Sequence, residues 1–334
     1  MTEPAGSAAE PPGGTLPLDA IEVGGRRLEY ADLPAPGFPP APLPRSDQWR
    51  AGTLVRAGGR TSGGAGNPGG GPAVVLVHGG NCTADDWARG SAGAIAPRLA
   101  RRYRLILPDG LVHPLDPWLI WRLLDHLGIQ DASLVGHSAG GLVVAMMYRQ
   151  QPHRVRSLVS IDSQGVGQTI VARLLPNDRF SPHAAALYEQ RKEEMLRLKP
   201  EHQGDYASEV NIAHRLVAYQ RARMTPEERA RTRPAPRSVR TLAAAPPAPE
   251  PIPAVGKFIT CPLLVIHTGR GKLGPEDISA AWVTENIQAT DVDYVVIREA
   301  SHWPWHEQPE WFLSHLEPFL TRTSAPPTAV DGGG

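Results

Sequence analysis

One serine set among small residues could act as a nucleophile in this chain. Gly136-His137-Ser138-Ala139-Gly140 follows the pattern G-x-S-x-G. It lies between an apolar run ending at Val135 and a nearly all-apolar helical stretch beginning near Gly140. A sharp strand-to-helix turn needs small neighbours so that the serine hydroxyl stands exposed. That hydroxyl is a poor nucleophile until an imidazole takes its proton, and at such an elbow the histidine comes last in chain order. Ser301-His302-Trp303-Pro304 follows the last expected strand, which makes His302 the expected general base. Attack on a carbonyl carbon also needs donors aimed at the oxygen that becomes negative. His78-Gly79-Gly80-Asn81 follows the first buried strand; the backbone N–H groups of Gly80 and Ala139 are the expected donors, with Asn81 as an alternative. The chemistry implied is acyl transfer through an acyl-Ser138.

The elements needed to hold these groups are legible as alternation of strand and helix from Ala73 onward, which predicts a parallel sheet covered on both faces. Strands are expected at Ala73 to Val77, Tyr103 to Leu107, Ala132 to Val135 and Val155 to Ile161, with helices at Leu115 to Leu127 and Gly140 to Gln150. Ile21 to Val23 and Arg26 to Leu33 read as two strands across a Gly24-Gly25 turn. The alternation breaks after Asp162, where charged helical periodicity begins, with a helix start at Thr225-Pro226-Glu227-Glu228. Strands resume at Pro262 to His267 and Val292 to Ile297, and a helix starts at Pro309.

The expected organisation is a disordered segment 1–18, a first core part 19–162 with a Gly/Pro-rich loop 34–72, a helical insert 163–256, a second core part 257–322 and a disordered tail 323–334. The chain has 334 residues with 34 basic and 34 acidic side chains; zero net charge excludes nucleic-acid or anionic-membrane binding by bulk charge. The Gly63 to Gly71 run lacks a Gly-Lys-Ser/Thr ending and reads as a loop, not a phosphate cradle. The start lacks a basic, apolar leader and no apolar run is long enough to span a bilayer. With only Cys82 and Cys261 present, a cytoplasmic setting is expected. His306 lies four residues after His302, but Pro304 between them disfavours a regular helix and no third ligand is evident, so no metal is expected.

Together the His-Gly-Gly loop, the Gly-His-Ser-Ala-Gly elbow, and Ser301-His302-Trp303-Pro304 with Glu307-Gln308-Pro309-Glu310 resemble the α/β-hydrolase superfamily, in its branch with a helical cap. The resemblance covers about residues 73 to 320, with Ser301 where the family has Gly. It implies an α/β-hydrolase fold, a mostly parallel central sheet flanked by helices with the insert 163–256 as cap. It also implies cofactor-free hydrolysis through a Ser-His-acid triad acting on a small-molecule ester, lactone or thioester.

The acid departs from the family pattern. Most members carry it in a G-x-x-D turn after the strand that here ends at His267, but this chain reads Gly269-Arg270-Gly271-Lys272. Asp162 is the first alternative, because it ends the strand after the elbow helix; a subset of similar bacterial esterases carries its acid there. Glu276 or Asp277, Asp291 or Asp293, or no acid at all, remain open. Without the G-x-x-D acid, a non-hydrolytic or C–C bond reaction on the same scaffold and a binding protein with little turnover also stay open. Trp303 and His137, beside base and nucleophile, are expected against the substrate, with Asp109 and His113 as polar contacts. Trp118 and Trp121 read as core, and the basic run Arg221 to Arg240 as a solvated face.

Overall fold

Four of the apolar runs become strands in which every residue is buried, as a sheet covered on both faces requires. The computed structural model describes residues 16–35, 71–80, 82–88, 95–110, 116–163, 225, 231, 235–243, 259–269 and 291–324. The strands are β1 (Asp19–Val23), β2 (Arg26–Leu33), β3 (Ala73–Val77), β4 (Arg104–Asp109), β5 (Ala132–His137), β6 (Val155–Ile161), β7 (Val239–Leu242), β8 (Leu263–Thr268) and β9 (Val292–Ile297). They form one sheet in the order β7-β1-β2-β4-β3-β5-β6-β8-β9. Only β2 runs against its neighbours.

Side chains alternate between two cores. Ala73, Val75 and Val77 join Leu134, Leu263 and Val265 on one face. Val74 and Leu76 join Val135, Leu264 and Ile266 on the other. A register shift between β5 and β6 at Ala132/Ser133 explains why Val155 and Leu158, three apart, reach the same core: one extra residue moves the rest of a strand to the opposite parity. Helices α2 (Pro117–His126) and α3 (Ala139–Gln150) cover the first face, and α1 (Ile95–Leu99) and α5 (Pro309–Ser324) the second. One-turn helix α4 (Pro304–Glu307) precedes α5. Helix α2 starts later than its leucine spacing predicts because Asp116 caps it, accepting from Trp118 N–H at 2.9 Å, with Pro117 in the first turn.

Three expected boundaries change. Residues Val239–Leu242, assigned to the cap, form β7 at the sheet edge, parallel to β1. Arg237 and the Ser238 hydroxyl fasten this return to the Asp19 carboxylate. The strand is mostly exposed, so it lacks the apolar run that marks the inner strands. Residues expected within the disordered ends also join the fold at the inner limits of those segments. Leu18 is buried, and Leu16 N–H reaches Asp85 at 2.8 Å; Thr323 and Ser324 complete α5, with Thr323 bonded to Ser157 at 2.9 Å. Apart from Thr225, the expected helix start at 225–228 lies outside the described residues. No helix among the described residues is long and apolar enough to cross a membrane.

Candidate active site

The strand-to-helix elbow at Ser138 is built from backbone strain and missing side chains. Ser138 has φ 52° and ψ −121° between β5 and α3, a conformation rarely held by a non-glycine residue unless its surroundings impose it. The glycines around it leave no room for a Cβ. At Gly136 it would collide with the Gly140 carbonyl, at Gly140 with the Val77 carbonyl, and at Gly141 with the Ser163 hydroxyl. At Gly79 it would stand 3.0 Å from Ser138 Cβ. Strand β6 holds the bend: Ser138 N–H donates to the Ile161 carbonyl at 3.0 Å, and the Ser163 hydroxyl donates to the Ser138 carbonyl at 2.6 Å.

These contacts make a testable cost. Gly140→Ala drives a methyl group into the carbonyls of Val77 and His78, which are backbone and cannot rotate away. A loss of about 1–3 kcal/mol of stability is expected from such overpacking, read as a lowered urea midpoint with unchanged slope. An unchanged midpoint would mean that the elbow is looser than this geometry.

Ser138, Asp162 and His302 all follow the carboxyl ends of parallel strands, β5, β6 and β9, where open α/β sheets gather their ligands. Asp162, with φ 37°, is pinned by its N–H to the Ile266 carbonyl at 2.8 Å. Its Oδ2 lies 2.6 Å from His302 Nδ1. A carboxylate oxygen only accepts, so Nδ1 carries a proton, and in the neutral ring the opposite nitrogen, Nε2, keeps a lone pair. Asp162 is 1% exposed and His302 9%.

The other candidate acids fare differently. Asp291 and Asp293 sit at the start of β9, the end away from His302, and both accept from Arg322, at 2.7 and 3.1 Å. Glu276 and Asp277 lie outside the described residues, as do Asn81 and His113.

The loop carrying His302 is braced on two further sides. Glu307 accepts from the Ser301 N–H and, at 2.8 Å, from the Ser301 hydroxyl; the serine standing where the family has glycine thus adds a hydrogen bond. Pro304 opens the one-turn α4 with His302 outside it, so no helix spans His302 and His306, in keeping with the proline between them. On the opposite wall, Gly110 N–H donates to His78 Nε2 at 3.3 Å and His78 Nδ1 donates to the Gly79 carbonyl at 2.8 Å. Asp109 Oδ1 lies 3.8 Å from the same ring. This fixes the turn leading into Gly80.

Two substrate-facing expectations meet buried side chains. Trp303 is 5% exposed and its ring edge meets His302. His137 is 1% exposed, and its Nε2 lies 2.6 Å from the His302 carbonyl, so this ring is spent on the loop and not on a ligand. Trp121 is core, donating to the Met147 carbonyl at 3.2 Å. Sequence reasoning missed the Ser163 contact, which has no local signal because its partner lies 25 residues away.

Comparison with known proteins agrees with this architecture. A family model described as "Alpha/beta hydrolase family" matches residues 74–315. The chain is 34% identical over 132 residues to a 2-hydroxy-6-oxo-2,4-heptadienoate hydrolase from Pseudomonas putida, covering 34% of this chain and 45% of that one. It is 33% identical over 137 residues to a 2-hydroxymuconate semialdehyde hydrolase from a Pseudomonas species, covering 36% and 46%. The matches thus span about half the length of these curated relatives. Among solved structures, a carboxylesterase, CesB from Bacillus subtilis, superposes with TM-score 0.52 at 13% identity, covering 91% of this chain and 90% of that one. A thermophilic esterase from Thermogutta terrifontis gives TM-score 0.50 at 19% identity, covering 93% and 99%. Such identities speak for the fold alone. With the family pattern running from β3 into α5 and a mostly parallel sheet that positions a strained serine after β5, the chain belongs to the alpha/beta hydrolase family.

Proposed function

We propose that this protein is a serine hydrolase that cleaves a carboxylic ester, lactone or thioester through an acyl-Ser138 intermediate. The observation that carries the reading is the 2.6 Å contact between His302 Nδ1 and Asp162 Oδ2, at the same sheet edge as the strained Ser138. Asp162 holds the imidazole in the tautomer whose Nε2 accepts the Ser138 proton and stabilises the imidazolium that results. Ser138 Oγ then bonds to the substrate carbonyl carbon, and the oxygen that becomes negative is received by the N–H groups of Gly80 and Ala139, with Asn81 as an alternative donor. Ala139 opens α3, where the first N–H groups have no intrahelical acceptor. Collapse expels the alkoxide or thiolate, which takes the proton from His302. Water, deprotonated by His302, attacks the acyl group and regenerates Ser138.

Trp303 and His113 remain proposed for the substrate side, Trp303 through the apolar wall it builds beside His302. A second reading, hydrolysis of a C–C bond, is favoured by the names of the relatives, hydrolases of 2-hydroxy-6-oxo-dienoates and a muconate semialdehyde. A fluorophosphonate probe should label Ser138 under either reading, and folded protein that stays unlabelled would overturn both. Turnover of p-nitrophenyl esters but not of a 2-hydroxy-6-oxo-dienoate supports the ester reading; the reverse supports the other.

A further inference from the structure

Nucleophile, acid and base sit on one closed ring of hydrogen bonds, and His137 closes it. From Ser138, the N–H reaches the Ile161 carbonyl at 3.0 Å and the carbonyl accepts the Ser163 hydroxyl at 2.6 Å. Between those two residues, Asp162 meets His302 Nδ1 at 2.6 Å. The His302 carbonyl lies 2.6 Å from His137 Nε2, and His137 is joined to Ser138 by a peptide bond.

The chemistry of that last contact fixes the state of His137. A carbonyl oxygen has no proton to give, so Nε2 carries it and donates. The other nitrogen, Nδ1, faces Gly79, where a Cβ would stand 2.9 Å from it. Around the ring stand Trp305, edge-on at 4.6 Å, and Trp87, edge-on at 6.3 Å. Trp303 lies at 6.0 Å and the His302 ring at 4.5 Å. Burial first, then the charge His302 takes up, hold His137 well below the usual histidine range, with His306 pushing the same way and the hydrogen bond to the His302 carbonyl and Asp86 pushing against. A neutral neighbour matters here because a second imidazolium at that distance would oppose the one formed on His302 during the reaction.

We propose that His137 is a positioning residue, an imidazole that donates from Nε2 and locks the main chain at His302 to the nucleophile elbow so that the base stays aimed at Ser138. The inference rests on the serine-hydrolase reading. A displacement of about 1 Å in such a constellation costs on the order of 100-fold in rate. The two bonds to Glu307 hold the neighbouring Ser301, and ring contacts of the tryptophan shell are less directional than a 2.6 Å hydrogen bond, so the contact with His137 is the one that fixes the His302 carbonyl itself.

Two measurements on the full chain test it. In 15N-resolved NMR of the wild-type protein, His137 should keep a protonated, hydrogen-bonded Nε2 between about pH 5 and about pH 9. In fluorophosphonate labelling, His137→Phe, which keeps a ring but no donor, should label Ser138 about 10- to 100-fold more slowly than wild type, and His137→Gln, whose amide can donate, should recover part of that rate. If the Phe variant does not fold, the NMR signature and the Gln variant decide. Wild-type protein that is not labelled sinks the hydrolase reading and this role with it. Labelling of wild type and Phe variant at equal rates, or a His137 ring whose Nε2 carries no proton, overturns the positioning role and leaves the hydrolase reading intact.

Discussion

Ser138→Ala is expected to lower turnover by about a million-fold, the scale seen when the nucleophile of a serine hydrolase is removed, and to abolish fluorophosphonate labelling. The fold should survive. Both restraints on the bend, the N–H to Ile161 and the carbonyl to Ser163, are backbone groups of residue 138 and do not use its hydroxyl. An unfolding free energy within about 0.5 kcal/mol of wild type, measured in urea, is therefore the control. Residual activity within about tenfold of wild type would remove Ser138 from the chemistry and with it both hydrolytic readings.

Asp162→Asn should cost about 10⁴-fold in turnover, or about 5 to 6 kcal/mol of transition-state stabilisation. An amide can still accept from His302 Nδ1, but it carries no charge to balance the imidazolium, and in its flipped orientation it favours the wrong tautomer. Stability should change little for two reasons. Asparagine tolerates the left-handed region better than most residues, which suits φ 37°. The backbone bond from residue 162 to Ile266 is untouched. Asp291→Asn serves as the comparison: its carboxylate is on Arg322, at the far end of β9, and its loss should leave turnover within about twofold. Near-normal activity in Asp162→Asn would return the role to a carboxylate outside the described residues.

The inner strands and the elbow were readable because burial on both faces writes itself as unbroken apolar runs. Ala73–Val77 is such a run and carries its expected bounds; Val155–Ile161 carries its expected bounds too, although Arg156, Ser157 and Ser160 interrupt its apolar residues. Strand β7 was not readable. An exposed four-residue edge strand needs neither an apolar run nor strict alternation, and its place is set by a partner, β1, more than two hundred residues earlier. The helix start at Asp116 and the helix begun by Pro304 show the same limit at smaller scale: cap chemistry is local, but which residue becomes the cap depends on where the preceding loop is held.

The order of elements, the small residues that let a serine bend, and the late histidine were set by residue types and spacing, because sterics and burial act along the chain itself. Which carboxylate meets that histidine was left among several by the chain, and only the folded sheet brought Asp162 to His302 across 140 positions. The same holds for His137, which pattern alone turned toward a ligand and packing turned toward the His302 carbonyl, 165 residues away. Contacts between the ends of different strands follow from strand order and register, which no local stretch encodes.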